Sequence, residues 1–236
     1  TASSGLAGPG ILADSAKLTP LLGFEPWTIW PGGVQYCSTR VDLYACGGLL
    51  PAWFPRIQMK KLSQSIAYDV QDGVAVLIAD NPPVNAMSYH VRQGLVNGLR
   101  MAESDDEVQS VVVHCEGRTF FPGMDITEFG KSNVPDAASI GEVIEAFEGA
   151  AKPVIAAIHG TALGGGLETA LGCHYRVATP SAKLGLPEVK LGIIPGAGGT
   201  VRLPRVMGVQ KALEMMISGN PISAQQALAG DLVDEI

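Results

Sequence analysis

Two glutamates stand where a carboxylate could move a proton. Glu168 follows Gly164, Gly165 and Gly166 in the run KPVIAAIHGTALGGGLE at 152–168. Glu188 lies just beyond a short apolar stretch and ahead of a second glycine loop at Gly196, Gly198 and Gly199. A glycine-rich turn at a helix start leaves backbone N–H groups without intrahelical acceptors, aimed at whatever lies over the glycines. The missing Cβ lets a ligand come close. Donors held ready for a developing oxyanion, beside a carboxylate, outline a proton-transfer site. Taken singly, the three glycines also read as a tight turn, Glu168 as a first-turn acid favoured by the helix dipole, and Glu188 as a surface acid after a strand. The combination favours chemistry.

The elements around these residues must position them. Val154–Ile158, bounded by Pro153 and Gly160, reads as a buried strand, and 167–171 as the first turns of a buried helix. Upstream, Asp72-Gly73 between 65–70 and Val74–Ala79 predicts a hairpin. Asn81-Pro82-Pro83 stops its second strand, and Ser88 is the expected N-cap of a helix carrying Val91, Leu95, Leu99 and Met101. Ser110–Cys115 reads as a strand, 118–125 (RTFFPGMD) as a loop, and 126–129 as a short helix. Ile140, Val143, Ile144 and Phe147 recur at helical spacing. Strands are expected at 174–178 and 182–185, and Thr200 is a candidate cap for the helix after the second glycine loop. Helices at 210–218 and 223–230, the latter capped by Ser223, are joined by Asn220-Pro221, and 232–236 reads as a strand or turn. The order ββα, βα, βα is that of an α/β fold whose loops at the strand ends share one side and hold the ligand. The second glycine loop is no dinucleotide fingerprint, because Val201 occupies the third glycine position, and it lacks the Lys-Ser/Thr of a P-loop.

Composition narrows the partners. The chain has 236 residues, 47% hydrophobic, and a net charge of −7, which disfavours a nucleic-acid backbone or an anionic membrane surface. No apolar run approaches a membrane span, and no signal peptide is evident at the start. Four cysteines without CxxC spacing and four histidines without an HExxH-type cluster argue against metal sites and disulfides. Buried thiols in a reducing, cytoplasmic setting are expected. His159 and His174 adjoin apolar runs and read as core residues; Cys173 and His174, as sequence neighbours on a helix, point apart. Lys211 and Glu214 read as a solvated face. Residues 1–58 differ from the rest: they hold all three tryptophans but only six of the 39 charged residues. They are expected to lie outside the evolved fold, with Met59-Lys60-Lys61 as the natural start and a domain at 59–236. The competing expectation is a genuine extension that docks Trp27 and Trp30 onto the domain.

Over 59–236 the chain resembles the crotonase family of enoyl-CoA hydratases and isomerases. The resemblance rests on NPPVNA at 81–86, RTFFPGMDI at 118–126, HGTALGGGLE at 159–168 and LPEVKLGIIPGAGGT at 186–200, in that order. It is most similar to the N-terminal hydratase/isomerase module of multifunctional fatty-acid oxidation enzymes, which precedes a 3-hydroxyacyl-CoA dehydrogenase. The resemblance implies a crotonase-like α/β spiral of repeated ββα units, here ending before the family's C-terminal helices. It implies an oxyanion hole from the N–H groups of Met124 and Gly165, and Glu168 and Glu188 as the acid/base pair. Ala86, Gly123, Asp125, Ile126, Gly164, Pro195 and Gly196 are then expected along the bound acyl-CoA, with 85–87 near the CoA nucleotide. Met124 departs from the alanine often found there. The implied reaction is hydration of a 2-enoyl-CoA in fatty-acid β-oxidation, with Δ3–Δ2 isomerisation as a second activity. Isomerisation alone, and a non-catalytic acyl-CoA-binding fragment, are the alternatives. Coenzyme A enters as part of the substrate. No cofactor or metal is implied for the chemistry, and NAD only if the gene carries a dehydrogenase part. The expected assembly is a homotrimer or a module of a larger chain.

Overall fold

A computed structural model of the chain describes residues 60–128 and 137–236. The readings of residues 1–58, of Met59 as the start, and of Phe129 as the end of a short helix lie outside the described residues.

The hairpin is formed by β2 (Ile66–Gln71) and β3 (Val74–Ala79), paired antiparallel with Gln71 opposite Val74. Asp72 and Gly73 both take positive φ, 50° and 81°, as a two-residue turn that follows the strand twist requires. A two-residue strand β1 (Lys60–Lys61) edges β2. From β3 onward the main sheet is parallel: β4 (Ser110–Cys115), β5 (Val154–Ile158) and β7 (Tyr175–Ala178) give the order β1-β2-β3-β4-β5-β7. All five residues of β5 are buried, the mark of a strand covered on both faces. Helices α1 (Tyr89–Ser104) and α2 (Ile140–Glu148) make the crossovers. Ala79 pairs with Cys115 at the ends of β3 and β4, so the loops that follow both strands leave the sheet at one edge.

A second, three-stranded sheet was not anticipated. It orders β6 (Thr161–Leu163), β8 (Lys183–Gly185) and β9 (Ile222–Ser223). Strands β6 and β8 are parallel neighbours whose last residues, Leu163 and Gly185, are partners, and Gly164 N–H extends the ladder to Gly185 O at 3.0 Å. Whatever follows each strand therefore emerges at the same edge. After β6 comes α3 (Gly165–Gly172) with Glu168; after β8 comes a 3-10 turn, Glu188–Leu191. Three helices close the chain: α4 (Gly199–Met207), α5 (Val209–Ser218) and α6 (Ala224–Leu228).

Caps matched the expectation only in part. Ser223 does cap α6, in a capping box with Gln226, and Ser139 forms another with Glu142 on α2. Ser88 occupies the N-cap position of α1, but its side chain caps nothing and its Oγ is buried without a partner. Glu128 supplies the cap instead: its Oε1 accepts Tyr89 N–H at 2.7 Å, while its Oε2 meets Arg92 at 3.0 Å. Thr200 lies inside α4, whose N-cap is Gly198 in the left-handed region. The residues 126–129 read as helix form a 3-10 turn at Ile126–Glu128. The strand expected from 174 begins at Tyr175; His174 next to it bonds to Val154 in both directions, its Nδ1 accepting Val154 N–H at 3.1 Å and its N–H donating to Val154 O at 2.8 Å.

Candidate active site

Gly164 turns the chain from β6 into α3 with φ 51° and ψ −126°, a conformation side chains resist. A Cβ at this position would also lie 3.0 Å from Oε1 of Glu188, so the Glu188 carboxylate rests directly on the turn. Glu168 sits in the first turn of α3 and is 3% exposed. Its Oε1 accepts two backbone N–H groups, from Ala197 and Gly199, each at 2.8 Å. The second glycine loop thus serves the first carboxylate. Pro195 and Gly196 lead into those two donors, and a Cβ at Gly199 would stand 3.0 Å from the same oxygen.

The two carboxyls live in different surroundings. Burial pushes the Glu168 carboxyl above its ordinary range, while the Gly199 and Ala197 N–H groups and the Arg202 charge pull it back. Burial also raises Glu188, which is 7% exposed; its own backbone N–H lowers it and the facing charge of Glu168 raises it further. Glu188 Oε2 is buried without a hydrogen-bond partner. Both carboxyls are thus raised, chiefly by burial. The difference lies in support. Glu168 has donors and a cation that favour its anion, whereas Glu188 has an orphan oxygen and a like charge that favour its acid.

Donors for an oxyanion stand beside the carboxyls. Gly165 is the first residue of α3, so its N–H has no intrahelical acceptor. Met124 is brought to it by two contacts of its loop: Met87 N–H donates to Gly123 O at 2.9 Å, and Leu163 N–H donates to Phe121 O at 3.1 Å. A Cβ at Gly165 would meet Met124 Cγ at 3.1 Å and Ile140 Cδ1 at 2.7 Å. Neither Gly165 N–H nor Met124 N–H has a backbone acceptor among the described residues.

Four of the seven expected substrate contacts gather elsewhere, together with Met124. Ala86, Gly123, Met124, Asp125 and Ile126 line a cavity of about 820 Å³ with the Asn81–Val84 stretch and Tyr89. Glu168 and Glu188 are not among its walls; Met124, Gly123 and the oxyanion loop link cavity and carboxyls. The donors Ala197 and Gly199, and Arg202 behind them, were missed. The GAGG run was visible as a loop, but nothing local says that its amides turn toward a residue some thirty positions earlier.

Other groups are not equipped for chemistry. Burial raises the Cys173 thiol to about 12 and the Cys115 thiol well above its ordinary range, so neither is a ready thiolate. His159 stacks on His114 with ring centroids 5.3 Å apart rather than entering the site. Among the described residues no cluster of three or more His, Cys, Asp or Glu could hold a metal ion, and no helix is long and apolar enough to cross a membrane.

The family described as enoyl-CoA hydratase/isomerase matches residues 69–236. The chain is 48% identical to a probable enoyl-CoA hydratase of Bacillus subtilis over 174 residues, covering 72% of this chain and 67% of that protein. It is 49% identical to the glyoxysomal fatty acid beta-oxidation multifunctional protein MFP-a of Cucumis sativus, over 70% of this chain but only 24% of that protein's length. Among solved structures, enoyl-CoA hydratase from Bacillus anthracis superposes with a TM-score of 0.67 at 37% identity, covering 73% of this chain and 69% of that one.

Proposed function

This chain belongs to the enoyl-CoA hydratase/isomerase family, and from that premise we propose that it hydrates 2-enoyl-CoA thioesters to 3-hydroxyacyl-CoA in fatty-acid β-oxidation. The observation that carries the reading is the pair of facing buried carboxyls, only one of them gripped as an anion, beside two amides with open donors.

In the proposed reaction the thioester carbonyl oxygen sits on the N–H groups of Gly165 and Met124. Water attacks the β-carbon and gives its proton to ionised Glu168. Electron density moves to the carbonyl oxygen, where each donor contributes roughly 3 kcal/mol by comparison with other oxyanion holes. Glu188 then gives its proton to the α-carbon and the enolate collapses. Each acid/base step is worth roughly 10²–10⁴-fold. The reaction neither gains nor loses electrons, so no redox cofactor is assigned; NAD belongs only to a joined dehydrogenase part. Glu188 alone can shuttle a proton between α- and γ-carbons, which makes Δ3–Δ2 isomerisation the second proposed activity. Ala86, Gly123, Asp125 and Ile126 are assigned to the CoA-linked part of the substrate, in the cavity next to Met124. Pro195 and Gly196 are assigned to the acyl side, beside Glu168.

A module of a larger β-oxidation chain and a homotrimer are both proposed assemblies. The cytoplasm is the proposed compartment, in keeping with the buried free thiols Cys115 and Cys173; the Cucumis sativus relative is named for the glyoxysome. Mixing the chain with crotonyl-CoA tests the function: loss of the enoyl-thioester absorbance is expected. Binding of the thioester without that loss would favour a non-catalytic acyl-CoA-binding role.

A further inference from the structure

The Glu168 anchor has a support of its own. Arg202 projects from the first turns of α4 under the Ala197–Gly199 loop. Its Nη1 donates to the Ala197 carbonyl oxygen at 3.3 Å, and its Nη2 pairs with Glu148 Oε2, at the end of α2, at 2.5 Å. Its Nε is buried without a partner. Gly198, at φ 97°, passes so close over the guanidinium that a Cβ there would overlap Nη1. The same residue's carbonyl accepts Arg202 N–H at 2.9 Å. Loop, arginine and Glu148 therefore form one unit: the loop meets Arg202 through the Ala197 carbonyl and Glu168 through the Ala197 and Gly199 amides.

We infer that Arg202 is a positioning residue for Glu168: held by Glu148, it fixes through Ala197 the loop that grips the carboxylate. The inference rests on the proposed hydratase reading for its role in turnover. An exposed arginine in a surface pair would contribute little, but this side chain is only 18% exposed and packs under the peptide that binds the catalytic group. The charged groups around the unit are few. Glu188 faces Glu168. Arg205 and His174 act on Glu148, whose carboxyl is held below its ordinary range chiefly by its hydrogen bond from Arg202. Arg202 acts on Glu168 in the lowering direction.

The test is Arg202→Gln, which keeps a donor for Ala197 O and removes the charge, read beside Arg202→Lys, which keeps the charge. For the folded full chain, the acid limb of the kcat profile for crotonyl-CoA hydration should move to higher pH in Arg202→Gln, in line with loss of an opposite charge. Arg202→Lys should return most of that shift. A purely structural arginine would lower kcat equally across pH and leave the limb in place, and that result overturns the inference. Should Arg202→Gln fail to fold, Gly198→Ala displaces Nη1 from the other side and must move the limb in the same direction; an unmoved limb there also overturns it. If the parent chain itself shows no hydration, the functional reading fails, and the positioning claim is still read by carbon-13 titration of the Glu168 carboxyl, assigned with Glu168→Gln. An unchanged Glu168 titration in Arg202→Gln would refute it.

Discussion

Replacing Glu168 by leucine and by glutamine should separate anchoring from chemistry. In the folded chain one carboxylate oxygen takes both the Ala197 and the Gly199 N–H, each at 2.8 Å, in a site 3% exposed to solvent. Leucine offers no acceptor, and each buried N–H left unpaired costs about 1–3 kcal/mol. Two of them predict a destabilisation of about 2–6 kcal/mol, a large share of the 5–15 kcal/mol typical of a folded domain. Glutamine can present its carbonyl oxygen to the same two donors. It gives up the charge-assisted part of those bonds and also the desolvation of a buried charge, so its stability should stay within about 1 kcal/mol of the parent. Hydration should nonetheless fall by at least ~10²-fold in both variants, because neither can accept a proton from water. Urea unfolding followed by circular dichroism gives the two stabilities, with the slope checked for constancy. If Glu168→Leu unfolds at the parent midpoint, the amides do not depend on the carboxylate and the account of the second glycine loop is wrong.

Two further outcomes are expected. Because burial raises both Glu168 and Glu188 above the ordinary value of 4.5, their contribution to stability is fully present below pH 4.5 and is lost as pH rises through their folded values; Glu188→Gln should flatten that decline in a pH series of urea midpoints, and an unchanged slope would count against a raised Glu188. Gly165→Pro removes one oxyanion donor at a first helical position, where the ends of the Ile140 and Met124 side chains must shift to admit the ring, so in a variant shown by circular dichroism to be folded kcat should drop by roughly 10²–10³-fold; near-parent turnover in the folded variant would remove Gly165 from the mechanism.

Much of the main sheet was legible because its signals are local. Asp72-Gly73 needs only its two neighbours to make a turn, and the apolar run Val154–Ile158 declares a doubly covered strand. The small sheet was not legible: β6, β8 and β9 have three, three and two residues, too few for a period, and they pair across long stretches of chain. That sheet is nonetheless what aligns the exits toward Glu168 and Glu188. Cap readings succeeded where the partner was three residues away, as at Ser223. They failed at Ser88, where a tertiary partner, Glu128, reached the helix end first. Glu168, Glu188 and Gly165 were visible as candidate chemistry, and their pairing came with the family resemblance. The grip of Ala197 and Gly199 on Glu168, and Arg202 beneath it, depends on contacts that only the folded chain brings together.

The central claim is that Glu168 and Glu188 divide the work of hydration, Glu168 serving the water and Glu188 the α-carbon proton. Glu168→Gln and Glu188→Gln, each confirmed as folded by circular dichroism, should be compared in two assays: hydration of crotonyl-CoA and isomerisation of a 3-enoyl-CoA. The account predicts that Glu168→Gln loses hydration by at least ~10²-fold while keeping much of its isomerase activity, and that Glu188→Gln loses both. Parent-rate hydration by Glu168→Gln, or isomerisation that survives in Glu188→Gln, would contradict it.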